Sequence, residues 1–342
     1  MQMPNVSILI PIRNEAAYIE RCLKAVIGQD YPGEKMEILI ADGMSSDGTR
    51  EKLLLSLIQY PQIKLIDNPE KIVSTGLNRL ILQAKGEVLI RVDGHCKIAP
   101  DYVSRCVAHI IEQQVDGVGG PMHSIGENWI SQAIALAMGS KFGVGGSSFR
   151  TEVGQTKLAD TVPFPAYTRD IIKQVGLYDE ELVRNQDDEY NYRLRKHGGK
   201  LLLTADVRST YYTRGSLKSL WWQFFQYGYW KVRVLQKHTR QMRPRQFIPP
   251  LFVLALCTGL LGGLIFPWGW RFLLGFVLLY LVAVLLISLL IAVREKWRCM
   301  LILPLAFITI HVGYGTGFWV GLFRFWRRWQ DKLGHVPKVS LD

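Results

Sequence analysis

Acidic residues are almost missing from the last third of this chain, and cysteines are few throughout. After Val207 there are 3 Asp+Glu against 18 Lys+Arg, whereas residues 1–207 carry 26 against 23. The formal net charge of +12 therefore resides wholly in the C-terminal part, which also holds the long apolar runs. Basic residues flanking apolar spans suit anionic lipid headgroups, and a nucleic-acid partner is set aside. The five cysteines (Cys22, Cys96, Cys106, Cys257 and Cys299) are odd in number and lack metal-site spacing. They argue against a disulfide framework or a zinc site and fit a reducing, cytosol-facing protein. No targeting segment is expected, because residues 1–5 lack a charged leader and VSILIPI (Val6–Ile12) is strand-length.

Residues 1–207 alternate strand-like and helix-like stretches. VSILIPI, MEILIAD (Met36–Asp42) and Ile63–Asp67 read as strands, as does the apolar run ending at Asp93. Helices are expected over residues 16–28, from residue 50, and over residues 74–84. This alternation predicts an α/β domain with a Rossmann-like, mostly parallel, doubly wound sheet. Such sheets bind ligands beyond the carboxyl ends of their strands. Three ends offer polar groups here: Pro11 to Glu15, Asp42 to Asp47, and Asp93 to His95. About 200 residues are ample for one buried core.

The most informative stretch is VLIRVDGH, an apolar run broken only by Arg91 and stopped by Asp93, Gly94 and His95. Asp and His at a strand end, with glycine for close backbone approach, suit a divalent cation clamped onto a diphosphate. The plain alternative is an Asp-Gly turn. Arg13-Asn14-Glu15 reads equally as a capped helix start with a first-turn acid. Asn185 to Glu189 precedes a helix running to about His197, where Gly198-Gly199 stops it. Taken alone, Asp187 is either a carboxylate able to take a proton or part of an acid cluster at a helix start.

VSILIPIRNE, ILIADGMSSDGT and LIRVDGH, in this order and spacing, resemble the nucleotide-sugar-binding half of the family-2 glycosyltransferases, which have the GT-A fold. VPFPAYTRDIIKQVGLYDEEL resembles the acceptor-side segment of that family, and NQDDEYNYRLRKHGGKL its catalytic-base helix. The Asp-Gly-His variant, the glycine-rich GVGGSSFR (residues 143–150) and the C-terminal apolar segments are most similar to the succinoglycan-type exopolysaccharide glycosyltransferases. The resemblance implies a UDP-sugar bound near Pro11, Arg13 and Glu15, with Asp42 accepting from the uracil N–H. It implies Asp93 beside the ribose and a Mg²⁺ or Mn²⁺ ion, with His95 where a metal-binding Asp is usual. Imidazole in that place moves the preference toward Mn²⁺ and weakens metal binding below about pH 6.5; direct contact of His95 with phosphate is the alternative. Asp187 is implied as the base that deprotonates the acceptor hydroxyl. Asp188 lies beside it on the acceptor side, its like charge raising carboxylate pKa values. Gln186 departs from the Glu usual in the family.

Between Arg208 and Arg245 there are nine Lys/Arg and no acidic residue, with a dense aromatic run from Trp221 to Trp230. Such a helix reads as lying in a membrane interface. Gln226 to Trp230 resembles the Q-x-x-R-W motif of membrane-bound polysaccharide synthases, with Tyr229 in place of Arg. Acceptor binding is accordingly assigned to Gln226, to Trp230 stacking on a sugar, and to Lys231 and Arg233 facing a diphosphate. Arg150 of the glycine-rich segment is added as a phosphate contact. The alternatives are a lipid-anchoring helix and a plain glycine-rich loop.

Beyond Arg245, three segments are long enough to span a bilayer, at about residues 247–266, 272–293 and 300–323. Three crossings from a cytosolic domain would leave Arg324, Arg327, Arg328 and Lys332 outside, against the positive-inside rule. The third segment is therefore either a closely packed crossing or a re-entrant or interfacial helix, and His311 within it marks a candidate lipid-phosphate site. The expected organisation is a cytosolic GT-A domain (1–207), a basic aromatic interfacial region (208–246), a membrane region (247–323) and a basic tail (324–342). The expected protein is a multi-pass enzyme of the cytoplasmic membrane. It would transfer a sugar, glucose by family analogy, with inversion, from a UDP-sugar to a polyprenyl-diphosphate-linked glycan in surface polysaccharide synthesis. A polyprenyl-phosphate sugar synthase, a processive polysaccharide synthase and an inactive membrane scaffold are the competing readings.

Overall fold

The computed structural model describes residues 3–146, 148–151, 154, 156–332 and 334–337. Ser147 of the glycine-rich segment and residues 338–342 of the tail lie outside the described residues. The chain divides into two compact units: residues 1–123, 152–211 and 333–342 form the first, residues 124–151 and 212–332 the second. The stretch 124–151, which no break in the sequence sets apart, thus groups with the C-terminal helices.

In chain order the elements begin with β1 (Val6–Ile12), α1 (Ile19–Ile27), β2 (Met36–Asp42), α2 (Thr49–Gln59), β3 (Ile63–Asp67) and α3 (Val73–Gln83). There follow β4 (Val88–Arg91), β5 (Cys96–Ile98), α4 (Tyr102–Gln113), β6 (Gly117–Gly119) and β7 (Met122–Ile125). Helices α5 (Trp129–Gly139), α6 (Lys141–Val144) and α7 (Ser148–Thr151) come next. The chain then returns through β8 (Lys157–Leu158), β9 (Ala166–Thr168), α8 (Arg169–Val175), α9 (Gln186–Lys196), β10 (Leu201–Leu203) and β11 (Ser209–Tyr212). The last helices are α10 (Leu217–Lys237), α11 (Ile248–Ile265), α12 (Pro267–Arg294) and α13 (Leu303–Arg324).

The first unit is built on an eight-stranded sheet ordered β3-β2-β1-β4-β9-β6-β10-β8. Every residue of β1 is buried, as the unbroken apolar run requires of a strand covered on both faces. It pairs in parallel with β2 from Val6↔Met36 to Ile12↔Asp42, and with β4 from Val6↔Val88 to Leu9↔Arg91. Chain order reverses between β1 and β4, which makes their carboxyl ends the expected binding crevice. The sheet is mostly parallel, but β9 runs antiparallel to β4 and β6, and β8 antiparallel to β10. Those strands are two or three residues long, too short for a periodic signature.

Pairing of β1 with β4 ends three residues before pairing with β2 does, and Pro11 sits in that interval. Val92 N–H donates to Leu9 O and Gly43 N–H to Ile12 O, so Leu9 and Pro11 present their main chain toward β4 and Ile12 toward β2. A proline there removes no ladder bond, because β4 has already turned away. The helix expected over residues 16–28 starts only at Ile19, because Asn14 takes a left-handed φ of 56° and residues 16–18 form a turn. Strand β4 likewise stops at Arg91, before Asp93.

In the second unit α11 and α12 form an antiparallel pair, with the Phe252 ring 4.3 Å from Tyr280 and Gly263 against Trp270. Three helical segments, Pro244–Ile265, Trp268–Arg294 and Leu303–Arg324, are long and apolar enough to cross a membrane.

Candidate active site

The loops that follow β1 and β2 are stitched together by hydrogen bonds from backbone donors to short polar side chains. Asn14 N–H donates to Ser45 Oγ (2.8 Å), and Ser46 N–H to Asn14 Oδ1 (3.0 Å). Glu15 N–H donates to Thr49 Oγ1 (2.8 Å), and Ala16 N–H to Asp47 Oδ2 (3.1 Å). Asp47 also accepts from Thr49 N–H at 3.1 Å. Burial raises the Asp47 carboxyl, but the Thr49 hydroxyl and these backbone donors together outweigh it and hold it below the usual carboxylate range. Ser45, Asp47 and Thr49 thereby fix the backbone on which Arg13 and Glu15 stand. Arg13 is exposed, with its stem against Gly43.

Asp42 lies at the end of β2 with its side chain wholly buried. Its Oδ1 accepts from Ser45 N–H (3.1 Å) and Ser45 Oγ–H (2.6 Å), and its Oδ2 accepts from Arg50 Nη1 (3.0 Å). Arg50 also pairs with Asp67 at the end of β3 (2.7 Å). Both carboxylate oxygens of Asp42 are engaged within the protein, so in this conformation the residue braces the loop.

The centre of the site is Arg91, an arginine 7% exposed at the end of a buried strand. Its Nε donates to Asp93 Oδ1 (2.9 Å) and its Nη1 donates to Asp187 Oδ1. One guanidinium thus binds the acid after β4 and the acid in the first turn of α9. Its planar fork with separated donors is what allows two carboxylates to share it. Asp187 is not a cap: Asn185 is the N-cap of α9, in a left-handed conformation and without a side-chain capping bond. The helix is set in place by its neighbours. Glu189 pairs with Arg193 (2.6 Å), Asn191 Nδ2 donates to Thr161 Oγ1 (2.7 Å), and Tyr190 stacks on Tyr178 with ring centres 4.2 Å apart. Tyr190 and Asn191, three and four residues on, lie on the same face as Asp187 and fix the turn that carries it, while the Asp187 side chain is 41% exposed. Burial of its carboxyl raises its pKa, Arg91 pulls it back, and the charges of Asp93 and Asp188 push it up again, leaving it above the ordinary value. A carboxylate raised in this way is a stronger proton acceptor than an ordinary one.

His95 lies across the crevice. Its Nδ1 is 2.8 Å from Glu15 Oε1, and its ring sits edge-on to Tyr211 with centres 5.1 Å apart. Gly94 makes this approach possible, since a Cβ there would fall 2.8 Å from Ile12 Cγ2 and 3.1 Å from Glu15 Cγ. A proton on Nδ1 bonded to Glu15 leaves the Nε2 lone pair available. A carboxylate bonded to the remote ring nitrogen is the arrangement that orients a metal-binding histidine. Among the described residues no group of three or more His, Cys, Asp or Glu could hold a metal ion alone. The donor set therefore fits an ion that takes most of its ligands from a diphosphate, as Mg²⁺ commonly does.

The structure brings Glu15, Asp93, His95 and Asp187 to the β1/β4 crevice or its edge. It keeps Pro11 buried in β1 and Asp42 buried beneath its loop. The residues on α10 and Arg150 belong to the second unit. There Trp230 Nε1 donates to Gln226 Oε1 (3.0 Å), and Lys231 is 2% exposed. Arg233 is fully buried, donating to Gln236 Oε1 (2.6 Å) and facing Asp331 Oδ2 (3.4 Å). The Arg150 guanidinium lies over Phe149 and donates to Ser124 Oγ (3.4 Å). Arg91, Ser45, Thr49 and Tyr178 are the site residues that pattern reading missed. Arg91 did carry a signal, being a charge inside an otherwise apolar strand.

A mostly parallel sheet with acids at its switch point and a helix-borne carboxylate beside them makes a GT-A-like scaffold, and the chain belongs to Glycosyl transferase family 2. That family's model matches residues 7–176. The chain is 32% identical to the succinoglycan biosynthesis protein ExoA of Rhizobium meliloti, over 94% of this chain and 96% of that protein. It is 29% identical to the dolichyl N-acetyl-alpha-D-glucosaminyl phosphate 3-beta-D-2,3-diacetamido-2,3-dideoxy-beta-D-glucuronosyltransferase of Methanococcus voltae, over 93% and 97%. Among solved structures it is similar in fold to the mannosyltransferase PcManGT of Pyrobaculum calidifontis, in complex with GDP-Man and Mn²⁺. The TM-score there is 0.57 at 19% identity, over 92% of this chain and 88% of that one. The protein is a glycosyltransferase with a GT-A-like fold.

Proposed function

We propose that the protein is a membrane-anchored inverting glycosyltransferase that moves a sugar from a UDP-sugar to a polyprenyl-diphosphate-linked glycan in surface polysaccharide synthesis. The observation that carries this reading is the Asp93–Arg91–Asp187 bridge, which joins the acid expected at the donor to the acid expected at the acceptor. Asp187 takes the proton of the acceptor hydroxyl as that oxygen bonds to the anomeric carbon. The bond from that carbon to the diphosphate breaks, and its electron pair leaves with UDP. A single displacement inverts the anomeric centre. Asp93 and His95 Nε2 would hold a Mg²⁺ or Mn²⁺ ion against the diphosphate; when bound, the ion supplies positive charge to the leaving group. Glu15 orients His95, while Arg13 and the stitched loops after β1 and β2 form the nucleotide side.

In the first unit Asp188 is assigned to the acceptor side; in the second, Arg150, Gln226 and Trp230 are kept as proposed acceptor contacts, whereas Lys231 is buried within its own unit. Arg233 is assigned to the frame of its own unit, because Asp331 and Gln236 already engage its guanidinium. A lipid-linked acceptor is supported by the relative from Methanococcus voltae, whose name specifies a dolichyl phosphate-linked sugar. A surface-polysaccharide product is supported by ExoA, a succinoglycan biosynthesis protein. Two apolar helices that expose leucines along their length suit insertion in the cytoplasmic membrane, with the first unit in the cytosol.

The test uses membranes containing the wild type or Asp187→Asn, with labelled UDP-glucose, Mn²⁺ or Mg²⁺, and a host lipid extract. Acid-labile label entering the organic phase with the wild type, and not with the variant, is the expected result. Equal labelling by both proteins would remove Asp187 as the base and favour transfer to a lipid phosphate, which needs no base.

A further inference from the structure

Two ends of one helix decide how many times the chain crosses the bilayer. Given the reading above, in which α11 and α12 insert in a membrane, their antiparallel pairing places Ile248 and Arg294 on the same side. The pairing is continuous: Phe252 meets Phe276 and Tyr280, Gly259 meets Leu273, and Gly263 meets Trp270. The turn at Phe266 and Pro267 is the far end.

Helix α13 starts at the near end. It follows Arg294 after eight residues that include the short 3-10 helix Trp297–Leu301, and Leu303, Ala306, Phe307 and Ile310 pack with Val284 and Ala292 of α12 and with Ala133 and Ile134 of α5. It also finishes at the near end. Phe325 O accepts from Gln236 Nε2 (2.8 Å), and Asp331 faces Arg233, both partners lying in the last turns of α10. Helix α10 ends at Lys237, shortly before α11 begins.

Between these ends α13 runs beside α10. Gly313 rests on the carbonyl of Trp221, Gly317 on that of Phe225 and Gly321 on that of Tyr229. The steps are four residues on each helix and rise together, so the two helices are parallel and in contact over more than two turns. Helix α10 is not among the segments apolar enough to cross, and it carries Lys231, Arg233, Gln236 and Lys237 on its buried side. A helix held flush to it shares its orientation in the membrane. Where α13 meets α11, Gly315 lies against Pro249 and Val253, and Trp319 Nε1 donates to Pro250 O (2.8 Å), all in the first two turns of α11. Half of the α13 segment is buried in protein, against 17% of the α12 segment.

We infer that α13 is not a third crossing: it lies in the membrane interface across the open end of the α11–α12 hairpin, and the tail after Arg324 emerges on the side of the segment before α11. The occupant of its outer face is the bilayer surface. Leu305, Val320 and Phe323 are exposed on that face, and Trp326, Arg324 and Arg327 follow beside them, the composition of an interfacial anchor on anionic headgroups. This placement puts the basic tail with Arg240, Arg243, Arg294 and Arg298 on one side, in agreement with the positive-inside rule.

Single cysteines at exposed positions test the inference: Thr239→Cys before α11, Trp268→Cys at the hairpin turn and Gln330→Cys in the tail. Intact cells are treated with a membrane-impermeant maleimide, before and after permeabilisation. Trp268→Cys should label in intact cells, and Thr239→Cys and Gln330→Cys only after permeabilisation. Labelling of Gln330→Cys in intact cells alongside Trp268→Cys overturns the inference. Protection of all three in intact cells means that the hairpin does not cross, and the inference falls with the crossing. Sugar transfer measured on the same variants reports the catalytic reading separately from either result.

Discussion

The guanidinium of Arg91 bonds to Asp187, 96 residues along the chain, while its Nε holds Asp93 Oδ1 at 2.9 Å. On the proposed reading, the bridge fixes the distance between the donor side and the base. Arg91→Lys keeps the charge but loses the fork, so one of the two carboxylates is released. Turnover should fall roughly 10- to 100-fold, on the scale of a reacting group misplaced by about 1 Å, with UDP affinity nearly unchanged. Arg91→Met should in addition lower stability by about 3 kcal/mol, because it strands carboxylates that had a buried cation. Steady-state kinetics, UDP titration and thermal unfolding in detergent measure the three effects; a wild-type kcat for Arg91→Lys would refute the positioning role.

Asp187→Asn removes the proposed proton acceptor and should leave the donor side intact. The expected loss in kcat is on the order of 10²- to 10⁴-fold, the usual span of general-base catalysis. UDP binding, followed by calorimetry, should stay within about twofold. A comparable loss of UDP affinity would place Asp187 at the donor instead.

The bond from Glu15 to His95 Nδ1 predicts that Glu15→Gln weakens Mn²⁺ binding in the presence of UDP by roughly 10-fold or more, the common cost of losing an orienting partner. Mn²⁺ electron paramagnetic resonance reads this directly, without turnover. An unchanged affinity would mean that His95 is not a ligand.

Glu37, in β2, ties the edges of three segments by accepting from Ser7 Oγ (2.6 Å), Lys85 N–H (2.5 Å) and Lys64 Nζ (3.4 Å). Burial raises its pKa, but the Ser7 and Lys85 hydrogen bonds and the Lys64 charge prevail and hold it below the usual value. A folded-state pKa below the unfolded one, about 4.3, stabilises the protein above that value, and the stabilisation fades as pH falls through the lower, folded one. Glu37→Gln should therefore cost about 2 kcal/mol at pH 7. Its melting temperature should begin to approach that of the wild type as pH falls below the unfolded value of about 4.3 and meet it once pH is below the folded one. A gap that is constant with pH would show that the loss is not electrostatic.

At the α10–α13 contact, Gly317 has no room for a side chain, since a Cβ would overlap the main chain of Phe225. Gly317→Leu should destabilise the second unit by about 3 kcal/mol, the upper range for overpacking, as read by unfolding in detergent. Gly275, with nothing near its Cβ position, is the control, and Gly275→Leu should be close to neutral.

Much of this molecule was legible in its residues. The strands β1, β2 and β3 fall where their apolar runs end in polar residues, and α9 stops at Gly198-Gly199, because burial on both faces and helix termination are local properties of the chain. The family motifs and the apolar C-terminal segments are likewise local patterns, and they were sufficient for the fold class and for a glycosyltransferase.

The rest depended on which distant residues meet. Asp42 had the right residue type for a base contact, but its oxygens are engaged by Ser45 and Arg50. Arg91 stood in plain sight as a charge in an apolar strand, but only the fold brings Asp187 to it. Asn14 gave no sign that its left-handed φ would delay α1, since the cause is the loop after β2. The sequence by itself determined the sheet's central strands, the candidate acids and the apolar helices, since each follows from the chemistry of neighbouring residues. Tertiary structure alone decided that one arginine joins two acids and that α13 begins and ends on the same side, because hydrogen bonds and helix contacts between distant segments are set by the packing of the whole chain.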